Sequence, residues 1–201
     1  MLATFAAFAT LPLWIKGVGL YPYLGVEVMV WVIYALGFNL LLGYAGLPSF
    51  GHGAFFGVGA YAFGLAQFGV SQNLWLCLLA AILAGALAGA LVASFISHRR
   101  GIYYALLTIA FGQIFWFVAI KWHSVTRGED GLLNVKRMPA DLGFVSLDLQ
   151  KLENLYYFAF AIFVIVIVLL WRVVHSPFGR ILSAIRQNET RPPPTRVIIT
   201  T

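Results

Sequence analysis

Residues 74–97 run without a single charged side chain, and that run limits the fold more than any other feature of the chain. About 20 apolar residues in a helix cross the ~30 Å hydrocarbon core of a bilayer. A soluble protein has little use for such a helix, and the composition agrees: 61% of residues are hydrophobic, 10% are charged and mean hydropathy is +0.88. The chain therefore reads as an integral membrane protein. Its net charge of +6 fits basic residues set beside anionic lipid rather than a nucleic-acid partner. The lone Cys77 lies inside an apolar run and can form no intrachain disulfide.

The remaining apolar runs predict an all-α, multi-pass transmembrane helical bundle of five or six spans. Residues 24–42, 53–68, 74–97, 102–120 and 155–171 are the clear candidates. Residues 2–20 are either a sixth span or an interfacial stub, since Pro12 and Lys16 interrupt them. Residues 121–154 change character, with five Lys/Arg, five Asp/Glu, glycines and a proline, and read as an extramembrane loop. Aromatic residues at span ends (Trp75, Tyr103, Tyr104, Trp122, Tyr156, Tyr157 and Trp171) fit interface anchors. With residues 172–201 inside, Lys/Arg divide seven to six in favour of the inside, a narrow vote for a cytoplasmic N-terminus.

Between residues 39 and 61 the apolar sequence is broken by Gly43, Gly46, Pro48, Gly51, Gly53, Gly57 and Gly59. Each glycine costs a helix about 1 kcal/mol relative to alanine. Backbone freed inside a membrane survives only where protein or a polar cavity satisfies it. The stretch reads either as a discontinuous helix of the kind transporters use or as a short loop between two spans. Gly53, Gly57, Ala60 and Gly64 then form one small-residue helix face, and Ala81, Gly85, Gly89 and Ala93 another, both suited to close helix approach.

Polar groups within the apolar runs are few. Glu27, Asn39 and Gln113 are functional candidates by position, against the plainer reading of helix-to-helix hydrogen bonds; Thr108 also lies within an apolar run. His52, His98, His123 and His175 lie in separate turns without ligand spacing, so no metal site is predicted; His52 is expected to bond backbone exposed at the break. A membrane enzyme would need Glu27, His52 and Gln113 to converge on one cavity. The glycine-rich break lacks the GK[ST] ending of a phosphate loop.

After Trp171, Ser176 and Pro177 form a helix start. Phe178, Ile181, Leu182 and Ile185 follow at i, i+3, i+4 and i+7, an apolar stripe on a short helix that also carries Arg180 and Arg186. Such a helix can lie on lipid or fit a partner's groove.

Three motifs in order, NLLLGYAGLPSFGHGAFFGVGAY, RGIYYALLTIAFGQIFWF and SPFGRILSAIRQNE, closely resemble the LivM-type permeases of bacterial branched-chain amino-acid ABC importers. The resemblance runs from about Tyr34 to Glu189. It implies that the third motif is the cytoplasmic coupling helix that docks on the ATPase, through Pro177, Phe178, Gly179, Arg180, Leu182, Ala184, Ile185, Arg186 and Glu189. It implies two cytoplasmic ATPase subunits, a paralogous permease and an extracytoplasmic binding protein as partners, and the bacterial inner membrane as the location. The substrate would be a branched-chain or related small amino acid, with urea or short amides as the alternative. It would pass a path lined in part by Asn39, Gly43, Gly46, Ser49, His52 and Gly53. No cofactor and no covalent chemistry are implied. The chain then divides into a transmembrane domain at 1–171 with an extracytoplasmic loop at 121–154, a coupling helix at 172–191 and a tail at 192–201. That tail, with Pro192, Pro193 and Pro194 in succession, departs from the family, which continues with further spans. A frameshift or early stop after Glu189, giving a truncated and non-transporting permease, is the expectation from this departure.

Overall fold

A computed structural model describes residues 8, 10, 11, 21, 23–99, 101–141 and 146–188, with only the backbone of Ser146, Ile185, Gln187 and Asn188. The 2–20 candidate span lies mostly outside these residues, as do Glu189 and the proline tail.

Helix α1 (Tyr23–Asn39) continues without interruption into a π-turn at Leu40–Tyr44. Helix α2 (His52–Gly69) returns, α3 (Leu74–Ile96) and α4 (Gly101–Lys121) follow, and α5 (His123–Thr126) is a single turn. A two-stranded hairpin, β1 (Ala140–Asp141) with β2 (Ser146–Leu147), precedes α6 (Leu152–His175) and α7 (Pro177–Asn188). Four of these segments are long and apolar enough to cross a membrane: Tyr23–Tyr44, Leu74–Ile96, Gly101–Lys121 and Leu152–His175.

The expectation of five or six spans is therefore corrected to four among the described residues. The candidate at 53–68 is helical within α2 (His52–Gly69), but the five glycines, His52 and Gln67 of that helix dilute its apolarity. Residues 45–51 are not helical, and where α2 begins the chain is already level with Thr108, seven residues into α4.

Helix α1 packs on α6. Gly25 opens α1 at the point where the Tyr156 ring enters, since a Cβ at Gly25 would lie 2.7 Å from the ring. Tyr156 is fully buried beside Val26, Met29 and Phe163, and its hydroxyl donates to the Phe8 carbonyl at 2.5 Å. This corrects its assignment as an interface anchor; Tyr157, its neighbour, remains exposed.

Helices α2 and α3 form the most extensive helix pair. Asn73 caps α3 by accepting from the Trp75 amide at 2.9 Å. At this end of the bundle, residues 122–141 and 147–151 fold onto the helices. The buried Gln67 side chain bonds both backbone groups of Lys136, donating to its carbonyl at 2.7 Å and accepting from its amide at 2.9 Å. Trp75 Nε1 donates to the Asp141 carbonyl at 2.7 Å. Cys77, wholly buried, fills the cluster of Ala66, Leu74, Met138, Ala140 and Leu149 beneath the hairpin. Thr126 takes up the end of α4, donating to the carbonyls of Ala119 (2.6 Å) and Trp122 (2.8 Å).

Candidate transport and coupling sites

The interruption after α1 starts as a change of hydrogen-bond register. Ala45 donates to Leu40 at 3.3 Å, closing the π-turn, and Leu47 donates to Leu41 at 3.0 Å. Gly46 makes this possible by taking a left-handed conformation, φ +72°, which a residue without Cβ adopts cheaply. Leu47 would close an ordinary α-turn on the Gly43 carbonyl; its diversion to Leu41 leaves that carbonyl for another donor. Arg186 of α7 supplies it, its Nη1 donating to the Gly43 oxygen. A cation at the C-terminal end of a helix is also favoured by the helix dipole.

The chain then runs back into the bundle and is fixed to α4. The Phe50 amide donates to Thr108 Oγ1 at 3.1 Å, while the same hydroxyl donates to the Ala105 carbonyl at 2.7 Å. Thr108 lies seven residues into α4, about 10 Å along its axis. Gly51 is buried against it: a Cβ there would overlap the Thr108 carbonyl, and one at Gly112 would lie 3.3 Å from the Gly51 Cα. Backbone meets backbone at this crossing. This contact between Gly51 and the Thr108–Gly112 turn was not predicted. Its signal is a threonine followed one turn later by a glycine within an apolar helix.

Beyond that crossing α2 and α4 diverge around a groove of about 950 Å³. Gly53, Gly57 and Tyr61 of α2 face Gln113 and Trp116 of α4, and Glu129 stands at the loop end. Apart from Thr126 the remaining side chains that line it are apolar. Helix α2's predicted small-residue face does not meet α3. Gly53 and Gly57 face this groove, and Gly64 receives Leu132 of the loop. The close approach to α3 is made by Gly59 over the Ala81 carbonyl and by Gly85 under the Phe55 carbonyl, so on α3 the predicted Ala81 and Gly85 do serve.

The six predicted path residues are not brought together. Only Gly53 lines the large groove; Asn39 lines a separate 240 Å³ pocket against α6, with Leu36, Ile167 and Trp171. Gly43 and Gly46 face Arg186, and Ser49 is buried. His52 does not bond exposed backbone as expected. Its ring stands against Tyr34 (5.0 Å between centroids), Phe38 (6.0 Å) and Phe55 (6.3 Å), and its buried Nδ1 has no hydrogen-bond partner. Of Glu27, His52 and Gln113, Gln113 lines the groove and the other two do not. Among the described residues no three of His, Cys, Asp and Glu gather as a metal site.

Helix α7 is set at a tight corner. Ser176 is extended, donates to the Val173 carbonyl at 2.6 Å and accepts from the Gly179 amide at 3.4 Å. A Cβ at Gly179 would overlap the Val174 carbonyl, so that position requires glycine. Phe178 and Ile181 are each 58% exposed, Pro177, Arg180 and Ala184 are exposed beside them, and Leu182 is half-buried. Helix α7 thus presents an apolar pair and a cation outward while Arg186 reaches back to the bundle.

An all-helical membrane bundle with an interrupted helix and an outward-facing amphipathic tail has the form of a transport permease. Residues 22–192 match the family described as branched-chain amino acid transport system / permease component, and the chain belongs to that family. It is 29% identical over 180 residues to the high-affinity branched-chain amino acid transport system permease protein LivM of Escherichia coli K12, and equally to the Salmonella typhimurium protein of that name. Each alignment covers 80% of this chain and 42% of the relative, so the chain spans less than half the length of the curated relatives it matches. No solved structure matches it significantly. The family is one of transport permeases, not of enzymes.

Proposed function

We propose that this chain is a membrane-spanning subunit of an ATP-driven importer for branched-chain or related small amino acids, in the bacterial inner membrane with a cytoplasmic N-terminus. Its partners are two cytoplasmic ATPase subunits, a paralogous permease and an extracytoplasmic binding protein that does most of the substrate selection. Residues 176–189 dock on an ATPase, and ATP-driven closure moves that helix and rocks the bundle. The path runs past the break at residues 39–53 and along the α2–α4 groove.

The observation that carries this reading is the family match over residues 22–192 together with the outward face of α7. Phe178 and Ile181, apolar and exposed at the end of the chain's most amphipathic helix, suit a partner's groove. Arg180 beside them suits an acidic rim. Phe178→Asp or Arg180→Glu is expected to cut co-purification with the ATPase at least tenfold, with membrane insertion unchanged. Undiminished co-purification with both variants would sink the docking role.

A further inference from the structure

We propose that Arg186 is a positioning residue that holds the end of α1 in its π-turn form and ties the re-entrant segment 45–51 to α7. Three features of one socket point to it. The Gly43 carbonyl is released because the Leu47 amide bonds Leu41 instead, and Arg186 Nη1 donates to that carbonyl. The stem of Arg186 crosses Gly46, where a Cβ would lie 3.0 Å from Cγ and crowd it. Gly46 is also the residue whose left-handed backbone redirects Leu47. Gly43 itself lies under the Asn39 side chain, with no room for a Cβ beside Asn39 Oδ1. Gly43 and Gly46 thus build a seat for the Arg186 side chain, one through its carbonyl and the other through the space left by its missing Cβ.

The consequence is a mechanical connection. From Arg186 the chain passes through Gly43 and Gly46 to Ser49, then to Phe50, whose amide is bonded to Thr108 at the floor of the groove. A displacement of α7 pulls on the same segment that closes one end of the groove. Its meaning for transport rests on the importer reading; the connection itself does not.

The test uses the full chain in lipid vesicles with Ser49→Cys, a near-isosteric change at a buried position, and follows its labelling by a water-soluble maleimide. Native Cys77, wholly buried, reports global unfolding in the same samples. Arg186→Ala is expected to speed labelling at position 49 about tenfold, and Arg186→Lys, which keeps a cationic donor, to return it to within about threefold of the parent. Phe178→Asp, eight residues before Arg186 on α7 and so about 12 Å away along the axis, should leave it unchanged. If Arg186→Ala exposes Cys77, Gly46→Ala replaces it, since it crowds the arginine stem and should give the same acceleration. A rate within twofold of the parent for the folded variant, or equal acceleration by Phe178→Asp, overturns the proposal. ATPase co-purification is scored separately, so its loss or retention bears on the importer reading and leaves the labelling result standing.

Discussion

Helix α2 meets α3 and α4 in different ways. Against α3 the backbones approach closely over much of their length, yet a Cβ at Gly59 or Gly85 would still find ordinary van der Waals distances of 3.6 and 3.9 Å. Against α4 there is one crossing, at Gly51, with no space for any side chain, and then an open groove in which a Cβ at Gly57 would touch nothing within 4 Å. The same residue type is tolerant in the seam, obligatory at the crossing and unfilled in the groove. Glycine content alone therefore does not mark a packing face. What decides is whether the facing group is backbone, side chain or open space.

The crossing is where this contrast is easiest to break. Gly51→Ala sets a Cβ on the Thr108 carbonyl, and backbone on both sides leaves nothing flexible to yield. Overpacking of this kind costs about 1–3 kcal/mol, and we expect the upper end, about 3 kcal/mol, in equilibrium unfolding from mixed micelles. A change below about 1 kcal/mol would mean that α2 and α4 can separate at little cost. Thr108→Val is the next largest. It keeps the shape but removes the acceptor of the Phe50 amide, and leaving a buried donor unpaired costs about 1–2 kcal/mol. Thr108→Ser, which keeps the oxygen, is expected to recover most of that loss in the same measurement.

The sequence carries these two regions unequally. Uninterrupted apolar runs are enough to reveal α1, α3, α4 and α6, because a span is a local property of about 20 consecutive residues. Ser176 followed by Pro177 likewise announces α7 by local chemistry. The interruption was legible in kind but not in form. Composition shows that glycines and Pro48 disturb a helix; it does not show that Leu40–Tyr44 continues as a π-turn, because that depends on which carbonyl Leu47 finds. Tyr156 and Tyr157 look alike as neighbours at a span end, and only the gap at Gly25, far away in the chain, makes one of them core. The spacing of Gly53, Gly57 and Gly64 correctly groups the first two on one side of α2, yet spacing cannot say whether that side meets a helix or a groove. For the same reason the sequence does not show what Gly43 and Gly46 face: the arginine that meets them is about 140 positions further on.

The smallest expected effect is the most discriminating. Gly57 lines the groove, and a Cβ there would meet nothing within 4 Å among the described residues. Gly57→Ala should therefore leave stability within about 0.5 kcal/mol of the parent after allowance for the better helix propensity of alanine, which by itself favours the variant by up to about 1 kcal/mol. The informative comparison is with and without the partner subunits. If the groove stays open to solute in the assembled transporter, the variant remains neutral in both settings. If another helix fills it there, the added methyl meets that helix, and the variant becomes destabilising only in the assembly, by about 1 kcal/mol or more. Unfolding of the isolated chain and detergent resistance of the complex, measured on the same variant, decide whether the α2–α4 side is a path or a second seam.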